Sequence, residues 1–154
     1  MIRLAFETTV AANPQEVWSR VSTMQGVNFE LMPILRMTYS DQLSKLDEAP
    51  QELLGKLAFK SWVLLGGVLP VDRHFFRLMS VTAGEGFNES SWSWSNRVWN
   101  HRRTLTHAGA GTTIRDELEF EPRIALAAPL LRWFIRTVFT HRHRQLARQF
   151  GSAR

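Results

Sequence analysis

An α+β fold follows from three patterns in the 154-residue chain. Alternating runs are separated by turn residues at regular spacing, two brief helical segments follow the first of those runs, and one long C-terminal segment repeats its apolar residues at helical spacing. A sheet with an apolar face and a helix with an apolar stripe bury both by packing as layers. No repeat, low-complexity segment or linker interrupts the pattern, so residues 1–154 are expected to form one domain.

Ile2 to Val10 alternates Leu4, Phe6 and Thr8 against Arg3, Glu7 and Thr9, the period of a first strand. Asn13-Pro14-Gln15-Glu16 then supplies a helix N-cap, a proline at the first helical position and a capping glutamate. The helix it opens buries Val17, Trp18 and Val21, Gly26 breaks it, and Val27 to Met32 forms a second short helix ending at Pro33. Ile34 to Ser40 resumes as a strand, and Asp41 to Gln51 is polar and contains Pro50, which predicts a loop. Strands are expected over Leu53 to Leu65, Val71 to Thr82 and Phe87 to Trp94, divided by Gly66-Gly67 with Pro70 and by Ala83-Gly84-Glu85-Gly86. Pro129 to Phe150 carries Leu131, Ile135, Val138, Phe139, Leu146 and Phe150 close to one helical face, and Gly151 ends it.

The most informative stretch is Val98 to Arg123, two alternating runs joined by Ala108-Gly109-Ala110-Gly111. A tight hairpin pairing His107 with Thr112 sets Leu105 opposite Ile114, Arg103 opposite Asp116, His101 opposite Leu118 and Trp99 opposite Phe120. The other face then pairs Thr106 with Thr113, Arg102 with Glu117 and Asn100 with Glu119, partners suited to solvent. An Arg, a His and an Asp inside an otherwise apolar face point to a cavity lined in part by charge, because a buried unpaired charge is prohibitively costly.

Composition narrows the function classes. There are no cysteines, which excludes a disulfide framework, a thiolate nucleophile and a Cys-based zinc site. The N-terminus has an early acid and no apolar signal core, which predicts a cytoplasmic protein. Arg132 and Arg136 interrupt the most hydrophobic segment, so no membrane span is expected. The net charge of +5 is almost wholly arginine, with lysine only at Lys45, Lys56 and Lys60. These arginines are dispersed among acids, apart from Arg142, Arg144 and Arg148, which complement the dipole of a helix end, so no nucleic-acid partner is expected. Phosphate-loop, dinucleotide-binding and Gly-x-Ser-x-Gly motifs are absent, and no cofactor is expected.

The order of elements resembles the helix-grip fold of the START-like, or SRPBCC, superfamily, which includes the birch pollen allergen family and polyketide cyclase/dehydratase-like proteins. Phe6-Glu7-Thr8-Thr9-Val10 with Asn13-Pro14-Gln15-Glu16-Val17-Trp18, Leu69-Pro70-Val71-Asp72-Arg73-His74, Trp99-Asn100-His101-Arg102-Arg103-Thr104-Leu105 and the terminal helix carry the resemblance. It implies a curved antiparallel sheet gripping the long C-terminal helix, with a hydrophobic ligand cavity between them. It implies no particular reaction, and it transfers no catalytic set.

Arg103 and Asp116 are the first candidates for the cavity wall, either holding a polar group of an apolar ligand or forming a structural ion pair. Glu89 falls opposite His101 if three residues around Ser95 connect their strands, and a carboxylate beside an imidazole orients it as a base. A shift of one residue puts Trp92 and Ser90 inward instead. A structural histidine is the plainer reading of His101. Asp72 and His74 share strand parity with Phe76, yet lie just after Pro70, where solvent exposure is expected. His141 and His143 are two apart on a helix and diverge, which argues against a metal, while His141 is placed beside Val138 in the cavity. Trp62, Trp92, Trp94, Trp99 and Trp133 either stack on a flat ligand or fill the core.

The expected function is therefore noncatalytic binding of a lipid, polyketide or quinone-like molecule by Arg103, Asp116, His101, Glu89, Trp99, Phe76, Val138 and His141. Cyclase-like catalysis by His101 and Glu89 is one alternative. Lipid transfer, with peripheral contact to an anionic membrane, is the other. Either a monomer or a homodimer is compatible with these patterns.

Overall fold

The computed structural model describes residues 1–153, with the side chain of Gln42 outside the description. Seven strands form one antiparallel sheet in the order β1-β7-β6-β5-β4-β3-β2. They are β1 (Ile2–Val10), β2 (Leu35–Met37), β3 (Leu57–Leu65), β4 (Leu69–Thr82), β5 (Gly86–Ser93), β6 (Asn96–Ala108) and β7 (Gly111–Pro122). Helices α1 (Pro14–Val21) and α2 (Met24–Leu31) follow β1, and α3 (Ala128–Phe150) closes the chain. β2 to β7 run as a meander, and β1 returns beside β7, so the sheet curls around α3 in a helix-grip α+β fold.

The caps explain where the helices begin. Asn13 accepts a hydrogen bond from the Glu16 N–H at 2.9 Å, with Pro14 in the first turn. Thr23 does the same for the N–H of Gly26 at 2.9 Å, so α2 starts at Met24 and Gly26 lies within it. The expected break at Gly26 is thus a cap at Thr23. Glycine is required there by close approach, because an added Cβ would sit 1.9 Å from the Arg20 carbonyl oxygen.

The strands differ from expectation mainly at their ends. β2 keeps only three residues of the expected Ile34 to Ser40, because at Thr38 the Trp62 N–H bonds the side-chain hydroxyl at 2.8 Å and the backbone ladder ends. Leu53 belongs to a 3-10 turn (Gln51–Leu53), so β3 begins at Leu57. Pro70 is inside β4, opposite Leu64 of β3 and before the first pairing with β5 at His74, where its missing N–H costs no ladder bond. The hairpin of β6 and β7 has the expected register throughout, from His107 opposite Thr112 to Trp99 opposite Phe120. Glu89 lies opposite His101.

The core fills the concave side of the sheet. Ile135, Val138, Phe139 and Leu146 of α3 are buried there, with Leu131 and Phe150 partly so. Arg142 and His143 are buried on the same stripe. α3 packs across β1 and α2, and the chain is pinned where it leaves the helix by an Ala11 N–H to Gly151 carbonyl bond of 2.9 Å.

In an ordinary helix interior, replacing glycine with alanine stabilises by roughly 1 kcal/mol. At Gly26 the sign inverts: Gly26→Ala is expected to lose about 1–3 kcal/mol through overpacking against Arg20, read as a lower denaturant midpoint with unchanged slope.

Candidate functional site

The site is organised around Arg103, whose side chain is 0% exposed. Strand alternation on β6 points it to the concave face, where a guanidinium needs carboxylates on more than one side. Asp116, directly opposite on β7, accepts from Arg103 Nε and Nη2, both at 2.7 Å. Glu30 of α2 accepts from Nη1 at 3.1 Å and Nη2 at 2.8 Å. One arginine thus holds two carboxylates in forked geometry and ties the sheet to α2. Arg142 of α3 reaches the same Glu30 oxygen at 3.3 Å and adds the third layer.

Asp116 is also the acceptor for two imidazoles. His101 Nε2 lies 2.8 Å from Oδ1 and His143 Nε2 2.9 Å from Oδ2. An ionised carboxylate only accepts, so both rings carry hydrogen on Nε2. His143 is held from its other side by Thr8 Oγ1 at 2.7 Å. His101 Nδ1 faces Glu89 at 3.6 Å, and Glu89 Oε1 accepts from His74 Nε2 at 2.6 Å and Ser91 Oγ at 2.7 Å.

Charge balance explains the protonation of this cluster. Burial opposes ionisation of Asp116, but Arg103 and His101 outweigh it and hold its pKa well below the usual carboxylate range. For Glu89, burial is likewise outweighed by His101 and His74, and the pKa is lowered. Burial disfavours the charged form of His101, yet bonds to Asp116 and Glu89 raise its pKa. Arg103 is pushed upward in the same way by Asp116 and Glu30. Three carboxylates and two guanidiniums leave one negative charge, and the imidazolium of His101, set between two of those carboxylates, neutralises it.

Beside the cluster lies a cavity of about 390 Å³ between the sheet, α2 and α3. Its walls are mostly apolar, with Phe76, Phe87, Trp99, Phe134, Val138 and Phe139 among them. Polar groups enter through Asp72, His74, Glu89, Ser93, Ser95, Asn96, His101 and Arg142. A second depression, about 470 Å³, lies over the solvent-facing side among Arg3, Asn100, Arg102, Glu117 and Glu119. Arg3 and Glu119 are already paired there at 2.9 Å, and none of the apolar lining recurs.

Of the residues singled out from sequence, Glu89, His101, Trp99, Phe76 and Val138 line this cavity. Arg103 and Asp116 do not: they lie beneath its wall, completely buried and saturated by protein partners. His141 is also outside, donating from Nε2 to the Met32 carbonyl at 2.7 Å. Its neighbours Arg142 and His143 point inward instead, since they fall one helical turn from Phe139 and Leu146. His74, expected at the surface, is 8% exposed and bonded to Glu89. Glu30 was absent from the sequence reading, although it follows buried Val27 by three residues. Among the tryptophans, Trp99 lines the cavity, Trp18 is in the core, and Trp62, Trp94 and Trp133 are exposed. Trp92 stacks on Phe75 at 5.6 Å. The alternatives of ligand stacking and core filling therefore miss most of them.

A family model described as a domain of unknown function, DUF8410, matches residues 8–150. Protein CV1439 from Chromobacterium violaceum has a similar structure, with a TM-score of 0.68 and 15% identity, covering 99% of this chain and 100% of that one. A START superfamily protein from Mycobacterium smegmatis gives a TM-score of 0.65 at 10% identity, covering 96% of each chain. Ara h 8.0201 gives 0.60 at 8% identity, over 94% of this chain and 97% of that one. No curated protein matches by sequence. These likenesses establish a START-like fold.

Removing one partner from a buried ion pair leaves the other uncompensated. Asp116→Asn is expected to cost about 3–5 kcal/mol, whereas Glu119→Gln at the exposed pair with Arg3 should change stability by roughly 0.5 kcal/mol or less, both read by urea denaturation. The pH profile follows from the shifts. The raised pKa of His101 gives stability that is complete below about 6.5 and is lost as pH rises through the folded value. The lowered pKa values of Asp116 and Glu89 give stability that is complete above about 4 and is lost as pH falls. The denaturation midpoint should decline on both sides, and His101→Gln should flatten the alkaline arm.

Proposed function

The chain belongs to the DUF8410 family and has a START-like fold, and from that premise we propose that it binds a hydrophobic small molecule in the cavity between the sheet and α3. The observation that carries this reading is the cavity itself, about 390 Å³ with an apolar wall and a few fixed polar groups. That combination suits a ligand with an apolar body, because burial of its surface supplies affinity and the polar groups set orientation. Lipids, polyketides and quinone-like molecules all fit the description. Arg103 and Asp116 serve the ligand indirectly, by fixing His101 and the helices around the cavity. Val138, Trp99 and Phe76 make apolar contact.

An acid–base role is favoured by one feature, the His74 and Glu89 pair at 2.6 Å on the cavity wall. His101 is less suited to it, since both its ring nitrogens face carboxylates. Cyclase-like chemistry on this wall would run through His74. Membrane contact has its own support in Leu126, Leu130 and Trp133, exposed on and before α3 beside Arg132 and Arg136. Flotation with anionic liposomes at low salt tests that contact, and absence from the lipid fraction counts against it.

The binding reading is tested with N-phenyl-1-naphthylamine, a neutral fluorophore that brightens in apolar sites. The natural protein is expected to enhance its emission saturably. Leu131→Trp and Val138→Phe, which fill the cavity from α3, should weaken binding about tenfold or more while the circular dichroism spectrum stays unchanged. Equal binding by the filled variants would place the probe elsewhere and defeat the reading.

A further inference from the structure

The polar groups on the cavity wall differ in what they have left to offer. Asp72 is saturated: Oδ1 accepts from the N–H of Arg73 at 2.8 Å and of Ser95 at 3.2 Å, while Oδ2 accepts from Ser95 Oγ. Ser95 Oγ gives its only hydrogen to Asp72, so toward Asn96 it can only accept. That fixes the Asn96 amide, with Nδ2 donating to Ser95 Oγ at 3.1 Å and Oδ1 turned away. Asn96 is 5% exposed, and its Oδ1 has no partner among the described residues. An acceptor buried without a donor is destabilising.

His74 leads to the same requirement. Glu89 is an ionised carboxylate that accepts from Ser91 Oγ and from His74 Nε2, so Nε2 carries a hydrogen, and the tautomer this selects has its lone pair on Nδ1. That nitrogen has no hydrogen-bond partner among the described residues. His74 and Asn96 belong to one corner of the cavity, and of their two acceptors His74 Nδ1 is the one open to it, since Asn96 Oδ1 is buried behind the wall. His74 lies opposite Ser93 in the sheet, Ser93 Oγ accepts from the Asn96 N–H at 3.0 Å, and Trp99 stands edge-on to His74 at 6.1 Å. All these residues line the cavity.

We propose that this corner recognises a hydrogen-bond donor on the ligand, a hydroxyl of a phenol or alcohol whose apolar body fills the rest of the cavity. The inference rests on the cavity-binding reading and specifies its ligand class. The hydroxyl donates to His74 Nδ1. A carboxylate head is disfavoured at this corner, since it brings no donor to the His74 lone pair and lies beside Asp72.

The test compares probes of one shape that differ in the donor. 2-Naphthol, 2-methylnaphthalene and 2-naphthoate are titrated at pH 8 against the natural protein and His74→Phe, by displacement of N-phenyl-1-naphthylamine. The natural protein is expected to bind 2-naphthol about tenfold or more tightly than 2-methylnaphthalene, and 2-naphthoate more weakly than 2-naphthol. His74→Phe should erase the preference by weakening 2-naphthol and leaving 2-methylnaphthalene unchanged. Equal affinity of 2-naphthol and 2-methylnaphthalene for the natural protein, or a preference for 2-naphthoate, overturns donor recognition and leaves the cavity reading standing. If no probe displaces the fluorophore, the cavity reading falls and the donor proposal with it. The comparison within the natural protein decides the matter even where a variant fails to fold.

Discussion

The fold depends on the burial of one guanidinium. Arg103 is wholly enclosed, and it keeps its charge only because Asp116 on the neighbouring strand and Glu30 on α2 both bind it. Neither carboxylate alone would suffice for a charge at that depth, where desolvation costs several kcal/mol per ion. The geometry therefore couples three layers, with Arg142 on α3 completing the set through Glu30. Such a cluster is weak evidence for net stability. Its effect is specificity of arrangement, because any slip of α2 or α3 relative to the sheet strands a charge in an apolar interior.

A cavity beside that cluster is easier to keep open than one in a purely apolar core. Side chains around an apolar void gain by collapsing into it. Here His101 and Glu89 on the sheet and Arg142 on α3 are held by ion pairs, so the wall they share is fixed while Trp99, Phe76 and Phe134 face the space. The cluster also divides the histidines by role. His101 and His143 are bound at both ring nitrogens, whereas His74 keeps one nitrogen for whatever occupies the cavity.

Much of the sheet was legible in the sequence, because a period of two and a tight glycine turn determine which residues face inward. From that came the pairing of Arg103 with Asp116, whereas Glu89 fell opposite His101 only for a three-residue connection around Ser95, and the structure has that pairing. The partners that complete the site arrive from elements whose position relative to the sheet no local period encodes. Glu30 is 73 residues from Arg103, and His143 is 27 from Asp116. A signal for α3 did exist: Arg142 and His143 fall between Phe139 and Leu146 on the buried stripe, and the dipole explanation for basic residues near a helix end obscured it. His74 shared the parity of Phe76, and the preceding proline suggested exposure where β5 in fact covers it.

His101, set between Asp116 and Glu89, is closed within the cluster, whereas His74 is bonded at Nε2 and open to the cavity at Nδ1. Nitrogen-15 NMR of the histidine rings at pH 8 measures this directly. Both His101 nitrogens are expected to carry hydrogen, His74 to carry its hydrogen on Nε2, and His74 Nδ1 to shift when 2-naphthol is added. A neutral His101, or a His74 carrying its hydrogen on Nδ1 and indifferent to 2-naphthol, would contradict it.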